Sequence, residues 1–474
     1  MTKVEVRTET FLHNGVLIAT VAMLSFVVLA VAPPWLFSGV TFAVIGWCGF
    51  LFGVLFIVSA AHRNRQVDPA KIYLRLVLVL WWSLVVSAVV FTRLTPQSES
   101  FAGHFSAAAY GEAACWAVPF LVLLLIMPRA QCMRRAFSGS NKWLSLFAVV
   151  CVMSAPFSPT PIYSLAWAFK LSLVVVLLLA CSAVMHDLDD IKAFLWSNLW
   201  AYVVVAVLPV VRAFADASTT FEGGRLNELA SPTGLSLSAG TLVLLSLTLN
   251  SLRNRTWLLG FVVLGSIVMI MAGGKAGIAA GIVSVSLFFL LQKRVAASFA
   301  WLVAALALGS IIVAVTPLAT YFTAYHDSGQ VSTLTGRTEL WRAVWPEITQ
   351  HPVVGHGYLA SRFLSEEVEG TFADASQTHN GFIEALYNNG LVGLIVLAGI
   401  HLVIVRNLWR ALRSPPNRNA RLLAIGCWTI YVNLLINGLF NATFGGAIRP
   451  PFELLLGLVV VSEVLRRNAQ PQAL

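Results

Sequence analysis

Residues 332–358 read STLTGRTELWRAVWPEITQHPVVGHGY, and beyond an acidic spacer residues 376–394 read SQTHNGFIEALYNNGLVGL. This is the one long polar interruption in a chain that otherwise reads as membrane, so its reading decides the fold. It holds an arginine in a Gly-Arg-Thr turn, Arg337, and a histidine at the threshold of an apolar helix, His379.

The remainder of the 474 residues is overwhelmingly apolar: 58% are hydrophobic and only 11% charged, against about 25% charged in soluble domains. An all-α polytopic membrane protein follows, a single transmembrane domain over 1–474 whose length counts spans. Apolar runs long enough to cross a bilayer fall near 14–32, 36–60, 72–92, 113–127, 143–155, 162–184, 195–212, 233–250, 256–272, 276–291, 296–316, 381–405, 422–441 and 450–465. That makes about 14 spans, or 12 if the short runs at 113–127 and 143–155 are re-entrant, with one large loop at 317–380. The six cysteines lie in or beside apolar runs and outside the loop, so neither a disulfide framework nor a zinc spacing is expected.

Charge sets the sidedness. With the N-terminus inside, 22 of the 31 Lys and Arg residues lie on inner segments, eight on outer ones, and Lys170 within a span. Cytoplasmic loops carry such an excess, so both termini are expected in the cytoplasm and the 317–380 loop outside. The net charge of +10 is thereby a topology signal and not a nucleic-acid footprint. Scarce on their side, the outer cations Arg93, Arg212, Arg225, Lys275, Arg337, Arg342, Arg362 and Arg449 need a reason more than the inner ones do.

Four outer segments carry candidate chemistry. Arg225 sits in a Gly-Gly-Arg turn before Ser231-Pro232-Thr233, where Pro is suited to a first helical turn. Lys275 occupies the short turn MAGGKAG, whose glycines permit close backbone approach. After Arg337, the residues Leu340, Trp341, Val344, Trp345 and Ile348 recur at helical spacing, predicting an amphipathic helix on the outer interface that Pro346 kinks or ends. His379 precedes the apolar helix beginning near Phe382, whose positive N-terminal end keeps the imidazole neutral, as a general base requires. Lys170, Asn380 and His356 are supporting candidates; an ammonium inside a span needs a partner or a cavity. No H-E-x-x-H, Walker A or G-x-S-x-G is present, so no metal or cofactor is expected.

These motifs together resemble the bacterial O-antigen ligase/polymerase family, which includes exopolysaccharide polymerases and lipid A-core ligases. The resemblance rests on GRTELW (336–341), HPVVGHGY (351–358) and THNGFIEALYNNGLVGL (378–394) and extends over roughly 225–395. It implies a glycosyltransferase of the bacterial inner membrane, with its active site on the periplasmic side. The donor would be an undecaprenyl-diphosphate-linked oligosaccharide and the acceptor a lipid-linked repeat or lipid A-core, with a chain-length regulator as a further partner. Carried over residue by residue, Arg337 holds the diphosphate and His379 activates the acceptor hydroxyl. Arg225 corresponds to a family arginine ahead of a His-Pro-Asn-like turn, here Ser231-Pro232-Thr233. Lys275 stands where the family has arginine, and lysine cannot fork onto two oxygens. The forms GRTELW and THNGFIE lean toward polymerase over ligase. A transporter of lipid-linked glycan is the reading from another class, but no inverted repeat is visible and the polar features gather outside.

Overall fold

The computed structural model describes residues 69–91, 134–215, 221–222, 225–226, 232–315, 337–364 and 377–469. The chain divides into two compact units, Met1–Ile126 and Met127–Leu474. Of the first unit the described part is one helix, α1 (Pro69–Phe91), which opens on proline and buries Leu74, Val77, Leu80 and Trp81.

Among its described residues the second unit is helical apart from one small ribbon. Its elements are α2 (Asn141–Ser154), α3 (Pro161–Val184), α4 (Leu188–Ala215), the strands β1 (Phe221–Glu222) and β2 (Arg225–Leu226), then α5 (Pro232–Arg253) and α6 (Leu258–Met271). They continue with α7 (Lys275–Leu291), α8 (Val295–Val315), α9 (Arg337–Gln350), α10 (Gly381–Arg413), α11 (Arg418–Phe440) and α12 (Pro450–Ala469). The strands pair antiparallel, Glu222 opposite Arg225, with Gly223-Gly224 between them in sequence. Proline opens α3, α5 and α12, where its missing N–H would have had no intrahelical partner. Asn417 caps α11, its side chain accepting from Ala420 N. The Asp187-Leu188-Asp189 triplet is consumed in the same way, since Asp187 Oδ1 accepts from the backbone N–H of Asp189 and of Asp190 at the head of α4.

Helix α5 is the hub and packs on α4, α6, α7 and α11. Its Thr241, Ser246 and Thr248 hydroxyls donate to carbonyls one turn back, at Leu237, Leu242 and Leu244, so the polar groups are satisfied within the helix, as an apolar surrounding demands. Glycine lets α7 lie close: a side chain at Gly277 would run into Ser236 of α5, and Gly281 faces Gly240. Around this hub, α10 packs on α2, α11 and α12. The outward faces of α6 and α8 expose Val263, Phe299, Leu306 and Ile311, a coat suited to lipid and not to water.

Eleven of the fourteen expected spans fall on described residues, and each overlies a helix; those at 14–32, 36–60 and 113–127 lie outside them. Among the described residues five helices are long and apolar enough to cross a membrane: 161–184, 188–210, 233–253, 381–413 and 418–440. The shorter α2, α6, α7 and part of α8 are apolar but fall below that length, so the described residues establish five candidate crossings and not fourteen. Of the 317–380 loop, residues 317–336 and 365–376 lie outside the described set, and the rest is packed structure.

Two local expectations change. Helix α9 does form, but Pro346 does not end it, and it runs on to Gln350. Its apolar stripe Leu340, Val344 and Ile348 is buried against Ala360, Leu364 and Tyr387, so that face is spent on the protein and packs on α10. Only Trp345 is turned out, at 55% exposure. The expected continuous helix 381–405 is also broken: Gly390 has φ 62° and ψ −163°, which divides α10 into a short arm and a long shaft.

The loop 352–357 occupies the break. Leu391 N and Val392 N donate to the carbonyls of Pro352 and Val353, while His356 N and Gly357 N donate to those of Tyr387 and Asn388. The backbone groups freed by the kink therefore exchange hydrogen bonds with the loop, as a buried break requires. Gly355 and Gly390 touch backbone to backbone, and a Cβ on either would collide.

Candidate functional site

The site begins at the turn before α10. Asn380 is extended and caps the helix, its Oδ1 accepting from Phe382 N and Ile383 N. Its Nδ2 donates to Leu439 O at the end of α11. His379, one residue earlier, sits in the left-handed region at φ 54°, a conformation uncommon outside glycine and held only where the surroundings impose it. Here the imposing group is Glu384, one turn into the helix. Its Oε2 accepts from both Thr378 N and Thr378 Oγ1 at 2.8 Å, and its Oε1 accepts from Ser361 Oγ.

Helix α9 is clamped to the same turn by Trp341, whose Nε1 donates to Thr378 O at 2.8 Å. Arg337 lies four residues earlier on the same helical face and so reaches the vicinity of His379. A second arginine, Arg362, comes from the 3-10 segment Ala360–Phe363, anchored by Ser361 N donating to Asn388 Oδ1 and by the Ser361–Glu384 bond. Burial, then Arg337 and Arg362, hold the His379 imidazole down to about 4. The ring is thus neutral around pH 7, chiefly through desolvation and then the neighbouring guanidinium groups. Its Nδ1 lies 3.4 Å from Gln377 Nε2.

A third arginine joins from the other side. Tyr358 OH donates to Gly446 O at 3.1 Å and ties the segment before α12 to the 3-10 segment. Arg449, the last residue before Pro450, is held down to about 10 by burial and then by Arg362, with Tyr163 and Glu384 acting oppositely. Arg337 and Arg362 thus lie within electrostatic reach of His379, and Arg449 within reach of Arg362 and of Glu384. Fixed positive charge in a partly desolvated place is suited to an anion.

The other expected residues fall variously. His356 stacks on Tyr387 at 4.5 Å, and its Nε2 lies 3.0 Å from Glu347 O, which locks α9 to α10. Lys170 is buried, with Nζ 4.4 Å from the Trp167 ring centroid and Glu453 of α12 within electrostatic reach. Lys275 is exposed at the start of α7. Arg225 is placed by its backbone in β2, and its side chain lies outside the described residues. The turn before Lys275 nevertheless belongs to the end of the bundle that holds His379. Gly274 N donates to Ser236 Oγ near the start of α5, Asn433 of α11 reaches Leu237 O and Thr241 of α5, and α11 ends at Leu439 beside Asn380.

Sequence reasoning counted Arg362 and Arg449 among the scarce outer cations but gave them no role, because neither lies in a motif. Glu384 sits in THNGFIE, yet its part in shaping the turn shows only once Ser361 arrives from the preceding segment. Glu384→Ala should leave Thr378 N–H and two hydroxyls without their acceptor and misplace His379. We expect kcat to fall by about 100-fold, the scale of a small misplacement at a reacting centre. Glu384→Gln, which keeps an oxygen for Thr378, should recover most of it with the same pH profile.

The fold and the site define a polytopic helical membrane protein with a cationic, histidine-bearing turn at one end of its bundle. Residues 235–398 match the family model described as O-antigen ligase, and that domain runs from the first turn of α5 to the shaft of α10. No curated protein matches the chain. The match makes the chain a glycosyl-transferring enzyme in general terms and, with its apolar helices, a protein of the bacterial inner membrane.

Proposed function

We propose that the protein transfers a glycan from undecaprenyl diphosphate to a sugar hydroxyl on the outer face of the inner membrane, with both termini in the cytoplasm. The observation that carries this reading is a neutral His379 held beside Arg337 and Arg362 by a carboxylate-braced, capped turn. His379 takes the proton of the acceptor hydroxyl while the acceptor oxygen attacks the anomeric carbon. The bond from that carbon to the phosphate oxygen breaks in the same displacement, with inversion, and polyprenyl diphosphate leaves. Arg337, together with Arg225 and Lys275, neutralises the charge that grows on the leaving group, so the step asks for no metal. Asn380 sets the aim of the histidine turn.

The preferred acceptor is another lipid-linked repeat, which makes the product a polymer. The matched family's description favours the second reading, transfer to lipid A-core. A deletion strain separates them by product: short surface glycan with substrate accumulating outside indicates a polymerase, and full polymer left on its lipid carrier indicates a ligase. Substrate trapped inside would instead indicate a transporter. Arg337→Ala tests the donor site separately. It should weaken binding of the lipid-diphosphate donor by at least tenfold, the range for one charge-assisted hydrogen bond, and unchanged donor affinity would remove Arg337 from that role.

A further inference from the structure

Arg362 and Arg449 come from segments with no shared motif, yet the fold brings them within electrostatic reach of each other. Ser361, fixed on both its N–H and its hydroxyl by α10, sets the root of Arg362. The Tyr358–Gly446 bond and the buried Ala447 and Ile448 set the root of Arg449. In each guanidinium the Nε atom is buried and has no hydrogen-bond partner. A buried donor left unmatched beside a like charge is destabilising, and natural proteins keep such groups for a reason. A multi-oxygen anion seated between the two would satisfy both donors and relieve the repulsion.

The geometry points to Arg362 and Arg449 as a phosphate subsite, which together with Arg337 across His379 accommodates a diphosphate. Naming the diphosphate rests on the transferase reading above; the anion subsite itself rests on the two guanidinium groups. One phosphate would lie against Arg337 on the α9 side of the histidine and the other between Arg362 and Arg449 on the α12 side. Glu384, the carboxylate among these cations, is occupied by Thr378 and Ser361 and is therefore turned to the backbone of the turn.

The test uses full-length protein in lipid nanodiscs titrated with inorganic pyrophosphate, followed calorimetrically and by thermal stability. Arg362→Gln and Arg449→Gln should each weaken pyrophosphate binding by about 10-fold or more and abolish the rise in Tm that it causes. Without the anion both variants should be at least as stable as the parent, because each removes one of two repelling charges. Arg342→Gln, on the exposed side of α9, should bind as the parent does. Arg362→Lys should fall between, since it keeps the charge without the Nε donor. Parental affinity in both Gln variants would overturn the subsite, as would an equal loss in Arg342→Gln. If the parent binds pyrophosphate through this pair but transfers no glycan from a lipid-diphosphate donor, the subsite stands and the transferase reading falls. If it transfers glycan and both Gln variants keep the donor KM, the subsite falls and the transferase reading stands.

Discussion

Replacing His379 with alanine should lower glycan transfer by about 10²- to 10⁴-fold, the range general-base catalysis supplies, while the helices stay assembled. The ring lies outside the helix it precedes and makes one long contact, to Gln377, so its removal disturbs chemistry more than packing. The pH dependence is a sharper signature. An imidazole held down to about 4 by burial, Arg337 and Arg362 is an available base through the whole range above that value. The acid limb of kcat/KM for the free enzyme should therefore sit near pH 4, not near the 6.5 of an ordinary histidine. The same shift acts on stability. The unfolded chain takes up a proton near 6.5 and the folded one only near 4, so this contribution is complete above pH 6.5 and is lost as pH falls toward 4. Arg337→Ala removes one of the depressing charges and should move the limb upward. A limb that stays near 6.5 in the parent would contradict the desolvated, arginine-flanked setting.

Gly390→Ala should be the most damaging single-methyl change in the molecule. The residue combines a positive φ with an extended ψ, a region open almost only to glycine, and a Cβ there would meet the Val353 carbonyl and Gly355 N. Backbone strain and a buried clash together put the loss at about 3 kcal/mol or more. In a marginally stable protein that should appear as a large drop in the yield of folded material from detergent. Gly309→Ala on α8 is the matched comparison, because a Cβ there meets nothing within 4 Å; it should express and behave as the parent.

Much of this architecture was legible from local chemistry. Pro161, Pro232 and Pro450 open helices where hydropathy places them, and the Thr-His-Asn-Gly run marks a helix start that the structure caps through Asn380. What escaped was set by partners distant in sequence. The run Tyr387-Asn388-Asn389-Gly390 continues an apolar periodicity and reads as uninterrupted helix until the 352–357 loop supplies replacement hydrogen bonds. Pro346 is expected from the sequence to kink or end α9, and the helix runs on past it to Gln350 with Leu340, Val344 and Ile348 buried on the protein. Lys170 packs against Trp167 with Glu453 within electrostatic reach, and Glu453 lies on α12, too far along the chain to be read from the span. Arg362 and Arg449 stood out on charge counting, yet only tertiary structure pairs them.

The break in α10 has a mechanical consequence. The short arm carrying Asn380, with His379 just ahead of it, meets the shaft at Gly390, where the backbone leaves the helical region. Loop 352–357 clasps that joint with four backbone hydrogen bonds, two to the arm and two to the shaft. Editing the loop should therefore turn the arm like a rudder while the shaft stays anchored among α2, α11 and α12. The histidine turn can in this way be pointed at differently shaped acceptors without rebuilding the bundle that supports it.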